Sequence, residues 1–185
     1  LLADLSQDLH TKGMKLYVSV PAGNPEFPYR AAGDVADGLV LMNYDEHYSG
    51  VGGSPGPIAS QDWFTKNLIE AKKVIPLEKL ICALANYGYD WPERKKGRLP
   101  PGERDAVVSV QDAWLAARDS EAEVNFDGAS LNPHITYLDE HDHRHDIWFM
   151  DAVTALNEMR AARQLGIRTF ALWRLGSEDR SLWKI

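Results

Sequence analysis

The feature that most constrains the fold of this 185-residue chain is a set of four short apolar runs separated by segments of helical periodicity. The runs are apolar at both alternating positions, which is typical of parallel strands covered on both faces. Strand, helix and strand in that order require right-handed crossover connections. The sequence therefore predicts an α/β fold built on a parallel sheet. The predicted strands cover residues 16–20, 38–44, 80–87 and 168–173.

Three helical patterns accompany these strands. One covers residues 1–12 and ends at Gly13, and another covers residues 61–74 with Ser60 as a candidate N-cap. The third covers residues 147–165. Because the first pattern begins at once, with no initiator methionine and no signal peptide before it, we expect the chain to be a fragment of a longer protein.

A long segment separates the third predicted strand from the last predicted helix. It has about sixty residues, whereas a strand and the next helix are usually joined by about two to six. Short strands are predicted at residues 107–110 and 135–138, with a helix at 111–118 between them. We therefore predict an α+β insertion subdomain at residues 89–145. Residues 1–88 and 146–185 would form the main part of the fold.

Charge and short motifs argue against several classes of partner. The chain has 20 Lys and Arg against 27 Asp and Glu, a formal net charge of −7, whereas nucleic acids and anionic membranes need a basic face. The glycine-rich loop at residues 47–60 has neither GxxxxGK nor GxGxxG, so a nucleotide site is not expected. The single cysteine, Cys82, lies in an apolar run and is predicted to be a small core residue.

Aromatic and polar side chains gather where the predicted strands end. The second strand ends with Met42 and Tyr44, which would share one face by alternation, the third ends with Tyr87, and the fourth ends with Trp173. In parallel α/β folds these carboxyl ends form the ligand site. Flat rings with a polar edge suit a carbohydrate, whose ring faces are apolar and whose rim is hydroxyl groups. The alternative is that the aromatic residues only cap a hydrophobic core.

The segment HDHRHD at residues 141–146 contains an HxxxH spacing formed by His141 and His145. That spacing brings two side chains together only on a helix, and the segment has no periodic apolar face. A solvated hairpin tip is therefore the favoured interpretation. We expect no metal ion and no cofactor, although a metal-dependent polysaccharide deacetylase that uses these histidines stays open as an alternative function.

At these residues the sequence resembles glycoside hydrolase family 18, the chitinase-like barrels. LVLMNYDE at residues 39–46 is similar to the sixth-strand motif of that family, ALANYGYDW at 83–91 to its seventh-strand motif, and ALWRLGSED at 171–179 to its eighth-strand motif. HDIWFMDA at 145–152 resembles a helix start of the spore-wall and peptidoglycan branch. PGPIASQDWF at 55–64 looks closest to the type fused to polysaccharide deacetylase and glycosyltransferase domains in bacteria.

The resemblance implies a partial (β/α)8 TIM barrel, consisting of strands five to eight with the α+β insertion after strand seven. The fourth strand of that family carries a DxxDxDxE motif whose glutamate protonates the glycosidic oxygen. This motif does not occur in the sequence. We expect the glutamate upstream of Leu1, so this chain alone is expected to be inactive.

The resemblance also implies a reaction and two catalytic residues. The family hydrolyses β-1,4-linked polysaccharides that contain N-acetylglucosamine, by a substrate-assisted retaining mechanism in which the acetamido oxygen attacks the anomeric carbon. Tyr44 and Asp45 match the catalytic-site tyrosine and aspartate of the family, and they would orient the acetamide and distort the sugar. The alternative for Asp45 is that it caps the following loop.

Four further residues are implied in substrate binding. Trp173 would form the floor under the sugar, Met42 would pack below it, and Tyr87 would line the wall. Glu46 lies beside the site, where it would be either an auxiliary donor or part of a solvent-exposed rim. For Met42 the alternative is an ordinary residue of the hydrophobic core. A non-catalytic glycan-binding module of the same fold is the alternative function. The family relatives act outside the cytoplasm, so we expect an extracytoplasmic or membrane-attached parent protein.

Overall fold

The computed structural model of the protein describes residues 1–50 and 53–184. Val51 and Gly52, which belong to the glycine-rich loop at residues 47–60, and Ile185 lie outside the described residues. The strands are β1 (Tyr17–Pro21), β2 (Gly38–Met42), β3 (Leu80–Ala85), β4 (Gly88–Pro92), β5 (Ala106–Val108), β6 (Val124–Phe126), β7 (Pro133–Leu138), β8 (Arg144–Phe149) and β9 (Thr169–Trp173). The helices are α1 (Leu2–Thr11), α2 (Tyr29–Val35), α3 (Gln61–Ala71), α4 (Val110–Asp119), α5 (Ala152–Gln164) and a 3-10 helix at Arg180–Lys184.

The four predicted strands form one parallel sheet in the order β1-β2-β3-β9, which confirms the α/β class. Two strands are shorter than predicted, since β2 ends at Met42 and β3 ends at Ala85. The prediction that every strand is covered on both faces holds for β2 and β3 but is wrong for β1 and β9. The reason is position in the sheet, because β1 and β9 lie at its two edges.

The core of the parallel sheet lies between its strands and the helices α3 and α5. Phe64 and Leu68 of α3 and Ala155 and Ala162 of α5 are fully buried there, as are the side chains that β2 and β3 contribute. Cys82 belongs to this core, as predicted, and burial raises the pKa of its thiol. The apolar face of each helix is therefore packed on the side of the sheet to which Cys82 points.

The start of the third predicted helix is wrong. Residues from Arg144 to Phe149 form β8, and α5 begins only at Ala152, after Asp151 accepts a hydrogen bond from the backbone N–H of Thr154 at 2.9 Å. The segment alternates between buried and less buried positions with period two, which is the signature of a strand. The domain boundary predicted at residue 146 consequently falls inside β8.

The residues after β3 form a second, antiparallel sheet in the order β5-β4-β8-β7-β6. The predicted helix of this segment is α4, which begins with a capping box made by Ser109 and Asp112. Ala113 and Ala117 of α4 pack with Ile135 and Ile147 from the sheet into a separate small core. This sheet begins at Gly88, three residues after the end of β3, so the two sheets are joined directly at the carboxyl end of a parallel strand.

No helix in the described ranges, 1–50 and 53–184, has both the length and the apolar character needed to span a membrane.

Candidate functional site

The candidate site begins where β2 ends. Met42 is the last residue of the strand and is half-buried, and Tyr44, Asp45 and Glu46 come after it in the loop. Since the strand stops at Met42, strand alternation does not extend to Tyr44, and the prediction that these two residues share a strand face is not supported. Asp45 has a φ of 65°, in the left-handed region that residues other than glycine seldom adopt. A strained aspartate directly after a strand is an observation that points to function.

Two tyrosines hold the Asp45 carboxylate from the same side. The hydroxyl groups of Tyr87 and Tyr89 both donate to Oδ1 of Asp45, the latter at 2.9 Å. Burial and the negative charge of Asp45 raise the pKa of both tyrosines well above the ordinary value, so both remain donors. In the described part of the chain, no hydrogen bond reaches the other carboxylate oxygen, Oδ2. Asp45 therefore has one oxygen fixed by the protein and one available to a ligand.

Tyr44 lies beside this group. Its ring meets the Tyr87 ring edge to face, with centroids 6.2 Å apart. Burial, with a further contribution from the charge of Asp45, raises the pKa of Tyr44 to about 12. Its hydroxyl makes no hydrogen bond to any residue that the structure describes. The Tyr44 hydroxyl is thus a protonated donor without a protein acceptor, next to a carboxylate.

Trp173 is the last residue of β9 and is 55% exposed. The register pairs Met42 with Ala83 and pairs Ala85 with Trp173, so β3 lies between the two candidate residues. Register partners in a parallel sheet project to the same face, and so do residues two apart in one strand. The side chains of Met42 and Trp173 consequently emerge on the same face, with only the small side chains of Ala83 and Ala85 between them.

Two of the predicted binding residues have structural partners. Tyr87 is only 4% exposed, so its chief contact is with Asp45 rather than with an open wall. Glu46 accepts a hydrogen bond from the backbone N–H of Ser60, with Oε2 and N 2.7 Å apart. Ser60 is the N-cap residue of α3, but its own side chain makes no capping bond. Glu46 thus provides an anionic group at this helix start, which the helix dipole favours.

Tyr89 is the residue of this group that sequence reasoning did not assign to the site. The signal was present, because Tyr87, Tyr89 and Trp91 occupy alternate positions and therefore point to one side of an extended chain. The apolar run predicts a third strand that ends at Tyr87 and an insertion that begins at residue 89. The extended segment in fact resumes as β4, and it returns Tyr89 to Asp45.

Residues 141–143 of the histidine-rich segment lie in the turn between β7 and β8, in agreement with the predicted hairpin tip, whereas residues 144–146 belong to β8. His141 lies in that turn with its side chain 65% exposed, whereas His145 is buried in β8. The HxxxH pair that a deacetylase would need is therefore not brought together on one helix face. In the described ranges, a different set of ligand atoms lies within 4.8 Å of one another, contributed by Glu103, Asp139 and His143.

Comparison with known proteins finds relatives that are described as glycosylases, spore cortex-lytic enzymes and chitinases. The chain is 29% identical to the "Uncharacterized glycosylase YvbX" of Bacillus subtilis (strain 168) over an alignment of 189 residues. The alignment covers 97% of this chain and 53% of the relative. The crystal structure of the spore cortex-lytic enzyme SleL of Bacillus cereus superposes with a TM-score of 0.87 at 26% identity, covering 99% of this chain and 42% of SleL.

A chitinase from Chromobacterium violaceum gives a TM-score of 0.83 at 28% identity, covering 99% of this chain and 57% of the chitinase. The resemblance to the chitinase-like glycoside hydrolases is confirmed. This chitinase-like chain spans about half the length of the relatives it matches. A comparison with family models found no match.

Proposed function

We propose that this chain is part of a family 18 glycoside hydrolase that cleaves β-1,4-linked polysaccharides containing N-acetylglucosamine, by substrate-assisted retaining hydrolysis. The parallel sheet would correspond to strands five to eight of a (β/α)8 barrel, with the antiparallel sheet inserted after the seventh. Similarity to a spore cortex-lytic enzyme and to a chitinase supports this substrate class. The observation that carries the proposal is the Asp45 carboxylate, held on one oxygen by two tyrosines beside the free hydroxyl of Tyr44.

This arrangement suits an acetamido group. The acetamide offers one N–H donor and one carbonyl acceptor, and the site offers one carboxylate oxygen and one hydroxyl donor. We propose that Oδ2 of Asp45 accepts the acetamide N–H and that the Tyr44 hydroxyl donates to the carbonyl oxygen. When that oxygen attacks the anomeric carbon, positive charge develops on the acetamide, and the fixed carboxylate stabilises it. Prealigned groups do this without the cost of reorganisation.

Protonation of the leaving oxygen requires a further acid. The sequence has no DxxDxDxE motif, and we propose that a glutamate outside these 185 residues supplies the proton, which would leave this chain alone inactive. Trp173 would form the floor of the subsite, with Met42 below it. These roles are supported by the register of the sheet, which puts the side chains of Met42 and Trp173 on the same face.

The first experiment measures hydrolysis by the intact protein that carries this chain, with chitin oligosaccharides and with spore-cortex glycan fragments as substrates. We expect Asp45→Asn to lower kcat by about 10² to 10³-fold, because it removes the charge that stabilises the developing cation. Asn also tolerates the left-handed backbone, so the fold should remain intact. Hydrolysis by the Asp45→Asn variant at the wild-type rate would contradict the proposal.

The second experiment separates hydrolysis from binding alone. Trp173→Ala should weaken binding of an N-acetylglucosamine tetramer, measured by calorimetry, while Trp183→Ala serves as the matched control because Trp183 is also exposed and lies in the terminal 3-10 helix. If the intact protein binds the tetramer through Trp173 but never releases reducing ends, the non-catalytic glycan-binding module is the better description.

We also propose that the parent protein is extracytoplasmic or membrane-attached and that it carries polysaccharide deacetylase and glycosyltransferase domains. The support is the likeness of residues 55–64, and of the ending WRLGSED at 173–179, to the fused bacterial type. Fractionation of cells that express the tagged parent protein tests the location, and recovery of the protein in the soluble cytoplasmic fraction would contradict it.

A further inference from the structure

At the antiparallel sheet, four side chains converge that the proposed hydrolase does not use. They are two carboxylates and two imidazoles, which we call the histidine–carboxylate cluster: Glu103, Asp139, His143 and His145. We propose that this cluster binds one divalent transition-metal ion, with zinc as the best fit. The proposal does not depend on the hydrolase activity.

The distances within the cluster suit shared coordination better than direct bonding. Nδ1 of His143 lies 3.6 Å from Oε1 of Glu103 and 3.4 Å from Oδ2 of Asp139. Nε2 of His145 lies 3.8 Å from the same Asp139 oxygen and 4.0 Å from Oε2 of Glu103. Most of these separations are too long for hydrogen bonds. Ligand atoms placed about 2.0–2.1 Å from a tetrahedral zinc ion are about 3.3 Å apart, so a small contraction would complete the site.

Two buried nitrogen atoms in the cluster lack partners. His145 is only 6% exposed, and its Nε2 makes no hydrogen bond to the residues that the structure describes. Nδ1 of His143 is also buried and makes no hydrogen bond to the described residues. Buried polar atoms are nearly always paired, and an unpaired one calls for an explanation. Both atoms point toward the two carboxylates, so a cation between the four groups would satisfy all of them.

The ligand atoms are already oriented by neighbouring groups. Nδ1 of His145 lies 2.9 Å from Oδ1 of Asp90, and the Tyr137 hydroxyl donates to the other oxygen of Asp90 at 2.8 Å. An Nδ1–H donated to Asp90 leaves the lone pair on Nε2, facing the cluster. This is the carboxylate–histidine arrangement that supports metal-bound imidazoles in proteins.

The Asp139 carboxylate is also oriented by hydrogen bonds. Its Oδ1 accepts hydrogen bonds from the backbone N–H groups of His141 and His143, each at 2.8 Å. Oδ2 is thereby left to face the two imidazoles.

The donor set selects the class of metal. Imidazole nitrogen with carboxylate oxygen suits zinc and its neighbours in the first transition row, whereas calcium and magnesium take oxygen ligands. Glu103 belongs to the connection between β4 and β5, and the other three residues belong to the β7–β8 hairpin. The ion would therefore join two separate connections of the antiparallel sheet, which is a stabilising role.

Zinc titration by calorimetry tests the proposal, with chelator-treated protein and zinc chloride as the probe. We expect one ion per chain and a rise in melting temperature with zinc. Glu103→Gln and His143→Gln should each weaken binding by at least about tenfold, judging from the cost of losing even an outer partner. His141→Gln is the matched control, because His141 is exposed, lies in the same turn and contributes no atom to the cluster.

Cobalt(II) substitution supplies a second readout, since a tetrahedral site gives intense visible absorption bands that octahedral solvent complexes do not. These bands should be absent in His143→Gln and present in His141→Gln. The absence of stoichiometric zinc uptake by the wild-type protein would overturn the proposal. Equal loss of binding in His141→Gln and His143→Gln would overturn it as well, because uptake would then come from surface histidines.

Discussion

Glu158 is a carboxyl group that the fold buries completely. It lies on the face of α5 that packs against β3, and neither carboxylate oxygen has a hydrogen-bond partner in the ranges that the structure describes. Burial raises the pKa of this carboxyl well above the ordinary value, and a charge on Glu158 would also raise the pKa of the Cys82 thiol. Burial therefore favours the protonated form of this carboxyl in the folded protein.

This burial makes stability depend on pH. Below about pH 4.5, near the ordinary pKa of a glutamate, Glu158 is protonated in both the folded and the unfolded state. In that range its ionisation does not change the free energy of unfolding. As the pH rises further, the unfolded state ionises while the folded state keeps its proton, so the free energy of unfolding falls. We expect Glu158→Met to raise the free energy of unfolding at pH 7 by about 1–3 kcal/mol.

Urea denaturation at pH 4.5 and at pH 7 measures the effect, which should be larger at the higher pH. Glu78→Gln is the control, because Glu78 is exposed. A gain in Glu158→Met that is identical at the two pH values would show that packing, and not ionisation, is responsible.

At the scale of elements, the step from β3 to β4 joins the two sheets. A Cβ atom at Gly88 would lie 2.5 Å from the carbonyl oxygen of Trp148 and 2.6 Å from Cβ of Phe149, so only glycine fits against β8. We expect Gly88→Ala to lower the free energy of unfolding by about 1–3 kcal/mol, since the neighbours are backbone and packed core. Binding of the N-acetylglucosamine tetramer should also weaken, because β4 carries Tyr89.

Chemical denaturation and calorimetry check these two effects. Gly128→Ala is the matched control, because a Cβ atom there has no neighbour within 4 Å. A Gly88→Ala protein as stable as Gly128→Ala would mean that β4 and β8 can separate at no cost.

The parallel strands were predictable because continuous apolar runs such as residues 80–85 are typical of strands in a parallel sheet. The β8 strand could not be predicted, because Trp148 and Ala152 also fit a helical spacing. The residues that bury Ile147 come from segments that are distant in the sequence. Tyr44 and Asp45 could be identified as candidates by resemblance. The alternation of Tyr87, Tyr89 and Trp91 indicates an extended segment, but it does not show that this segment forms a separate strand, β4, whose Tyr89 bonds to Asp45.

At the scale of the whole molecule, the parallel sheet has two open edges in the described part of the chain. β1 and β9 each pair with one neighbour only, and Tyr17 and Trp173 are more than half exposed there. Unpaired edges with apolar side chains favour pairing with other chains. We expect the isolated polypeptide to self-associate as its concentration rises, measured by light scattering after size-exclusion chromatography.

Tyr17→Lys should reduce the association, because a charged side chain on an edge opposes strand pairing. Val153→Lys is the matched control, since Val153 is similarly exposed but lies on α5. A monomer that melts in one sharp two-state transition at all concentrations would contradict this expectation.

Strand β4 carries anchoring side chains on both of its faces. Consecutive residues of this strand face opposite ways, so that Tyr89 bonds to Asp45 while Asp90 bonds to His145. Tyr89, which holds the Asp45 carboxylate, and Asp90, which holds the buried His145 imidazole, are therefore adjacent in the chain. Substitutions on the two sides should not be energetically independent, and a double-mutant cycle between Asp45 and His145 should show a nonzero interaction energy despite the absence of direct contact.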